Sequence, residues 1–356
     1  MPKRVIVIGS GIIGASAAYH LAKAGARVTV LEAGETGGVA TRASWAWINA
    51  SRGNPEPYFR LRLRSIEEWH RLEHEVPGLA PNWCGGLIWD APEAELEAYA
   101  AERERWGQPI RRVTRDEILG LEPNLTTAPD FAYHVASEGM VEPLAAAEAL
   151  LSAAKSHGAE VITHAPVKWL EGESRVTGVM TNDGVIHADE VVVAAGEESA
   201  ALLDSVGITL RMSTPPGLLS HSKPTRRLLN GLVMTPGLHV RQTAEGRLVA
   251  GTDFSGAEPI GDAEALAAGL PAKVESLAKG AEGVGLDFLT IGFRPTPADG
   301  FSAIGRPRDR AGLYAIVTHS GVTLAPALGL FAAQELLTGT RDALLTNFHP
   351  DRPVLT

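Results

Sequence analysis

The spacing of apolar residues lays out most of the elements of this chain. Val5-Ile6-Val7-Ile8 is an unbroken apolar run of strand length, the pattern of a strand covered on both faces. A helix is predicted from the following turn to about Ala24, stopped by Gly25, and a second strand over 27–31 ends on Glu32. Tyr58, Leu61, Ile66, Trp69, Leu72 and Val76 recur near helical spacing and predict an amphipathic helix over 57–76. Residues 80–137 carry strand-like pieces such as Leu87-Ile88-Trp89 and two polar helices, near 93–106 and 115–120. A helix from Pro143 to Gly158 and a strand at Val161-Ile162 come next. A hairpin then has arms 175–181 and 185–188 flanking Asn182-Asp183-Gly184, whose Asp-Gly pair is a two-residue turn signal.

Residues 190–196 form an apolar strand ending in small residues, suited to the middle of a parallel sheet and to close approach by a ligand. Residues 213–292 are β-rich, with strands at 232–234, 238–241 and 247–252 and a helix over 262–277. A strand over 313–318 leads through His319-Ser320-Gly321 into a last helix, ending at Gly339. This order predicts an α/β fold with one Rossmann-like nucleotide domain in three pieces, 1–79, 138–212 and 293–356. A β-rich α+β domain is inserted twice, as 80–137 and 213–292.

The first turn, Gly9-Ser10-Gly11-Ile12-Ile13-Gly14, brings in chemistry. Gly9 permits the tight turn, Gly11 lets a pyrophosphate approach the backbone, and Gly14 lets the helix pack close to the strand. The helix start at Ile12 offers free N–H groups to phosphate, and Glu32 is placed for a ribose diol. These parts in one unit predict a dinucleotide site.

Length and charge narrow the rest. At 356 residues two domains are expected, and a net charge of −10 argues against nucleic-acid and anionic-membrane surfaces. Arg60, Arg62 and Arg64, and Arg103 with Arg105, are interleaved with acids and read as solvated helix faces. The single cysteine, Cys84, excludes an intramolecular disulfide and fits a reducing compartment, so a cytoplasmic location is expected. The first apolar run is too short for a signal peptide. The longest, 324–337, is interrupted by Pro326, Gln334 and Glu335 and reads as a buried helix rather than a membrane span.

The chain resembles the D-amino-acid oxidase family of flavoenzymes, the group with glycine oxidase, sarcosine oxidase and D-amino-acid dehydrogenase. The resemblance covers nearly all of it. It rests on the opening unit from Val5 to Glu32, the strand Val191 to Gly196, and two C-terminal stretches. One is Gly292-Phe293-Arg294-Pro295 with Asp299-Gly300 and Ile304-Gly305. The other runs from Gly312-Leu313-Tyr314 through His319-Ser320-Gly321-Val322-Thr323-Leu324-Ala325-Pro326. It implies FAD, bound non-covalently and extended. Glu32 and Ala33 would take the adenosine end and Val167, in a strand after Pro166, the adenine. Thr41, Arg42, Ala43 and Ser44 form the second cofactor loop, with Arg42 on a phosphate, and Ala195-Gly196 lies alongside. His319, Ser320, Gly321, Val322 and Thr323 would face the isoalloxazine ring, the helix start meeting its negative charge. Covalent attachment is not expected, because Cys84 lies outside the flavin turn in a strand over 83–89, buried and inert.

The resemblance implies oxidation of the C–N bond of a small amino acid or N-alkyl amino acid by hydride transfer to flavin N5. Arg294 matches the family's carboxylate-binding arginine. His239 and His221 are candidates for handling the amine proton, Trp45, Trp47 and Phe254 for the pocket wall, and Lys223 for promoting reaction with dioxygen. The alternative is a flavoprotein subunit of a hetero-oligomeric dehydrogenase, and the electron acceptor stays open among dioxygen, a quinone and a partner. A nicotinamide dehydrogenase, or a nucleotide-binding protein without catalysis, fits the C-terminal turn poorly. The flavin turn is shorter than the usual family form, an Arg-Gly-Gln run is missing near Pro215–Leu219, and the substrate-side tyrosines are absent.

Overall fold

The computed structural model describes residues 1–50, 53–252 and 263–355, with backbone alone over 263–268. A six-stranded sheet runs in the order Ala303–Gly305, Leu313–Val317, Glu190–Val193, Arg4–Ile8, Arg27–Leu31, Glu160–Ile162. The last five are mutually parallel, and Ala303–Gly305 adds antiparallel at the edge. Arg4–Ile8 pairs on both sides, so its apolar run is buried on both faces as its sequence predicts.

One face of this sheet is covered by three helices: Ile12–Lys23, Pro143–Ser156 and Gly321–Thr338. Small residues set their approach. A Cβ on Gly329 would stand 2.3 Å from the Ser16 Oγ, so these two helices cross almost backbone to backbone. Gly321–Thr338 is long and apolar enough to cross a bilayer, yet most of it is buried in this core. The other face packs against Ser199–Asp204 and a three-stranded meander. In the meander the hairpin turn is Asn182-Asp183 rather than Asp183-Gly184. Thr181 pairs with Gly184, and the Thr181 hydroxyl accepts from Asp183 N–H, which shifts the turn by one residue.

Strands drawn from 86–135, 216–251 and 286–293 build one eight-stranded sheet, joined where Gly86–Ile88 pairs parallel with Leu232–Thr235. Its far edge is Leu286–Phe293. This strand is apolar in sequence yet largely exposed: Leu286, Phe288, Ile291 and Phe293 are each about two-fifths accessible. Arg62 and Arg103 depart from the expected solvated faces, at 5 % and 1 % exposure. Arg62 lies on the stripe of Tyr58, Ile66 and Trp69, and Arg103 caps the Ala50 carbonyl beneath the Phe59 ring.

Candidate active site

The Gly9 turn is built as the sequence requires. Gly9 sits at φ +100°, where a Cβ would meet the Ala194 carbonyl oxygen at 2.5 Å. A Cβ on Gly14 would stand 2.0 Å from the Gly9 oxygen, so Gly14 seats the helix on the strand and does not face the cavity. The Glu32 carboxylate is held in place: Ser10 N–H and Ser10 Oγ both donate to it at 2.7 Å, and Gly34 N–H at 3.0 Å. Thr41 Oγ1 accepts from Ile12 N–H, satisfying one orphan donor of the helix start.

From this turn a cavity of about 740 Å³ runs through the molecule, within the usual range for ligand sites. Gly9, Gly11, Ile12, Glu32 and Ala33 line its first part, followed by Thr41, Ala43 and Ser44, with Val167, Ala195 and Gly196 opposite. Val167 lies in irregular chain rather than a strand. Arg42 is not in the wall: its guanidinium is exposed and donates to the Thr36 carbonyl within its own loop.

The far end is framed by the turn before the last helix, with His319, Ser320, Gly321, Val322 and Thr323 all in the wall. Pro326 has no N–H for the Val322 carbonyl. Trp69 Nε1–H supplies the missing donor, 3.0 Å from Val322 O and 3.2 Å from Thr323 O. Ser65 Oγ accepts the displaced Ala327 N–H at 3.2 Å. The helix over Glu56–Glu75 thereby clamps the start of the last helix. Thr323 Oγ1 donates to Trp47 O and accepts from Asn49 N–H, tying in the segment after the cofactor loop.

That segment carries Trp45 and Trp47, both in the cavity wall and edge to face at 5.9 Å. Ala46 between them adopts φ +60°, a left-handed backbone rare outside glycine. Trp45 Nε1–H donates to Val249 O and Trp47 Nε1–H to Glu138. Glu138 is fully buried, and burial outweighs nearby Arg103 and Arg62 to push its carboxyl up to about 7.

Charged groups converge here. Arg294 lines the cavity beside Gly217, its backbone fixed by N–H donation to Pro215 O at 3.1 Å. His239 lines it too, its Nε2 3.3 Å from Asp90 Oδ2. His319 donates from Nε2 to Gly300 O, so its Nδ1 accepts from Ser320 Oγ. Burial first, then the charges of Arg62 and Arg294, push it down to about 4, so it is neutral at pH 7.

A profile described as FAD dependent oxidoreductase (DAO) matches residues 4–335. The chain belongs to the DAO family of FAD-dependent oxidoreductases. It is 29 % identical over 350 residues to a glycine oxidase of Bacillus licheniformis, covering 93 % of this chain and 92 % of the relative. A glycine oxidase structure from Geobacillus kaustophilus superposes with TM-score 0.85 at 26 % identity, covering 98 % of this chain and 99 % of that one. One of the subunits of an opine oxidase of Agrobacterium tumefaciens is 24 % identical, over 97 % of this chain and 96 % of its own.

As a DAO-family enzyme the chain uses FAD, and its residues fit that group. A Cβ on Gly11 would stand 3.2 Å from Thr41 Oγ1 in the cavity wall, so the missing side chain leaves room for phosphate beside a helix start. The cavity ends at a second helix start, a full domain's width of chain away in sequence. Other candidate residues lie outside the cavity wall or outside the described residues. His221 is outside the wall, bonded to Thr290 and stacked on Phe288 at 4.4 Å. Lys223 is exposed in irregular chain just after a strand and lines no part of the cavity. Cys84 is half-buried in a loop before its strand, its thiol pushed up to about 11 by burial. Phe254 lies outside the described residues. Sequence reasoning missed Asn49, Arg62 and Asp90. Arg62 carried a signal, four residues after Tyr58 and four before Ile66; Asn49 and Asp90 carried none.

Proposed function

We propose that this enzyme oxidises the C–N bond of a small amino acid or N-alkyl amino acid, giving an imine that hydrolyses. The observation that carries the reading is one continuous cavity joining the Gly9 turn to a helix start, with a guanidinium and His239, itself 3.3 Å from Asp90, in its wall. It rests also on the similarity to glycine oxidases.

FAD, held non-covalently, supplies the hydride acceptor. Gly9, Gly11 and the N–H groups after Ile12 take the pyrophosphate, and Glu32 takes the ribose diol. Ala33, Thr41, Ala43, Ser44, Ala195 and Gly196 pack along the chain of the cofactor, and Val167 meets the adenine. At the other end the N–H groups of Gly321, Val322 and Thr323 meet negative charge. Arg294 grips the substrate carboxylate as a planar fork, which aims the Cα–H. His239, oriented by Asp90, accepts the proton that the substrate ammonium loses before oxidation. Trp45 and Trp47 close the pocket against water. Cys84, with its thiol kept protonated by burial, takes no part.

The purified protein is expected to be yellow and to bleach without oxygen when glycine, sarcosine, a D-amino acid or another N-methyl amino acid is added. A colourless protein that takes up no FAD overturns the reading. A second reading keeps this chemistry but passes the electrons to a partner chain. The exposed apolar edge strand Leu286–Phe293 and the similarity to one component of an opine oxidase favour it. Oxygen uptake by the isolated chain counts against it; turnover only with a dye acceptor supports it.

A further inference from the structure

Two glycines face each other where Arg294 leaves its strand. Gly217, in the strand Pro216–Ser222, pairs with Gly292, and the ladder continues through the bond from Arg294 N–H to Pro215 O. Side chains alternate along a strand, so positions 217, 292 and 294 share one face. Glycine weakens a strand interior and marks a close approach by something else. At Gly292 that something is the cofactor loop, since a Cβ there would stand 2.8 Å from the Ala43 Cβ. At Gly217 it is the Arg294 side chain: a Cβ would stand 3.1 Å from Nη2, 3.3 Å from Nε and 3.6 Å from Cζ, its three nearest neighbours. The φ of Gly217 lies outside the left-handed region, so its backbone does not demand glycine. Gly217, Gly292, Ala43 and Arg294 all line the cavity. A side chain at 217 would need room that the guanidinium occupies. The backbone on both strands is tied into the ladder, so the guanidinium, at the end of its side chain, is the part that gives way.

We propose that Gly217 is a positioning residue for Arg294: its missing side chain is the seat against which the guanidinium rests, and that seat sets where the substrate carboxylate docks. The proposal rests on the amino-acid oxidation reading above, in which Arg294 grips that carboxylate, and adds the residue that decides its place. Position 217 then acts on a ligand through Arg294, and not through the cofactor or the stability of the fold.

Methoxyacetate tests it, a carboxylate with an ether oxygen in place of nitrogen, so that no amine is present to be oxidised. It is titrated by calorimetry into the FAD-loaded parent, Gly217→Ala, Gly217→Val, Arg294→Ala and the two double variants. FAD affinity and the urea midpoint are measured alongside. Gly217→Ala is expected to weaken methoxyacetate about 3-fold and Gly217→Val about 30-fold, approaching the loss of about 100-fold expected when the guanidinium is removed. FAD affinity should hold and the urea midpoint should not fall, because a strand accepts alanine and valine more readily than glycine. In the Arg294→Ala background the same changes should cost less than about 2-fold, since a residue that acts through a partner is silent once the partner is gone.

A Gly217→Val protein with the parent's affinity overturns the proposal. So does an equal loss in both backgrounds, because the new side chain then fills the cavity without acting on Arg294. If Gly217→Val loses FAD or unfolds, Gly217→Ala decides, and parent-like affinity in it overturns the proposal. A parent that takes up FAD but not methoxyacetate, or an Arg294→Ala protein that binds it as the parent does, overturns the reading of Arg294 as the carboxylate grip as well. If Arg294→Ala weakens binding and neither Gly217 variant does, only the seat falls.

Discussion

At the nucleotide end of the cavity the wall is mostly backbone. Gly9, Gly11 and Ile12, with Glu32 just after the next strand, lie within the first 32 residues and are closed by hydrogen bonds spanning at most 22 residues. At the other end the wall is side chains. Trp47, Asn49, Arg62, His239, Arg294 and His319 come from distant segments and are held by bonds spanning up to 276 residues. Backbone geometry is dictated locally, so the first end is robust and readable. The second depends on the closure of the whole fold, and there a shift of one element moves several groups at once.

The largest effect is expected where backbone meets ligand. Gly11→Val should abolish FAD binding while the protein still folds, because the added side chain fills the phosphate cradle rather than a packed core. FAD titration with circular dichroism checks both; an unfolded variant would make this end as dependent on tertiary closure as the other. Arg294→Ala should retain FAD and weaken a carboxylate ligand about 100-fold, the cost of removing one side of a charged hydrogen-bonded pair. Unchanged affinity removes Arg294 from the site.

Glu138 sharpens the contrast through pH. Its folded pKa, about 7, is raised from 4.5, so the folded state binds the proton more tightly than the unfolded chain. Stability from this group is therefore full below about pH 4.5 and is lost as pH rises towards 7. Glu138→Gln should gain about 3 kcal/mol relative to the parent between pH 5 and pH 8 in urea unfolding. A pH-independent difference would mean that Arg103 and Arg62 keep Glu138 ionised. The smallest effect belongs to the clamp on the last helix. Trp69→Phe leaves the Val322 carbonyl without its donor and should cost about 2 kcal/mol. In a Pro326→Ala background the helix regains its own N–H, and the same change should cost less.

The helices named from the sequence were legible to within a residue or two, because apolar runs and caps act locally, whereas the strands Phe131–Val135, Pro216–Ser222 and Leu286–Phe293 were not picked out individually. The last helix is predicted to end at Gly339 and ends at Thr338, with Gly339 left-handed. Most residues expected along the cofactor line the cavity for the same reason; Arg42, whose side chain bonds back to its own loop, and Gly14, which seats the helix on the strand, do not. His221 and Lys223 failed differently. The strand of His221 pairs with an edge strand that carries it away from the cavity, and strand order cannot be read from spacing; Lys223 follows that strand in exposed irregular chain.

By itself the sequence determined the strand–glycine–helix cradle, the apolar cores and the family, since each rests on short-range backbone demands or on contiguous motifs. Only the tertiary structure decided that Arg62 faces the cavity rather than solvent, that Asp90 meets His239, and that Trp69 completes a helix 253 residues away. Those contacts join groups that no local propensity couples, and burial settles the cost of a charge only once the whole chain has closed around it.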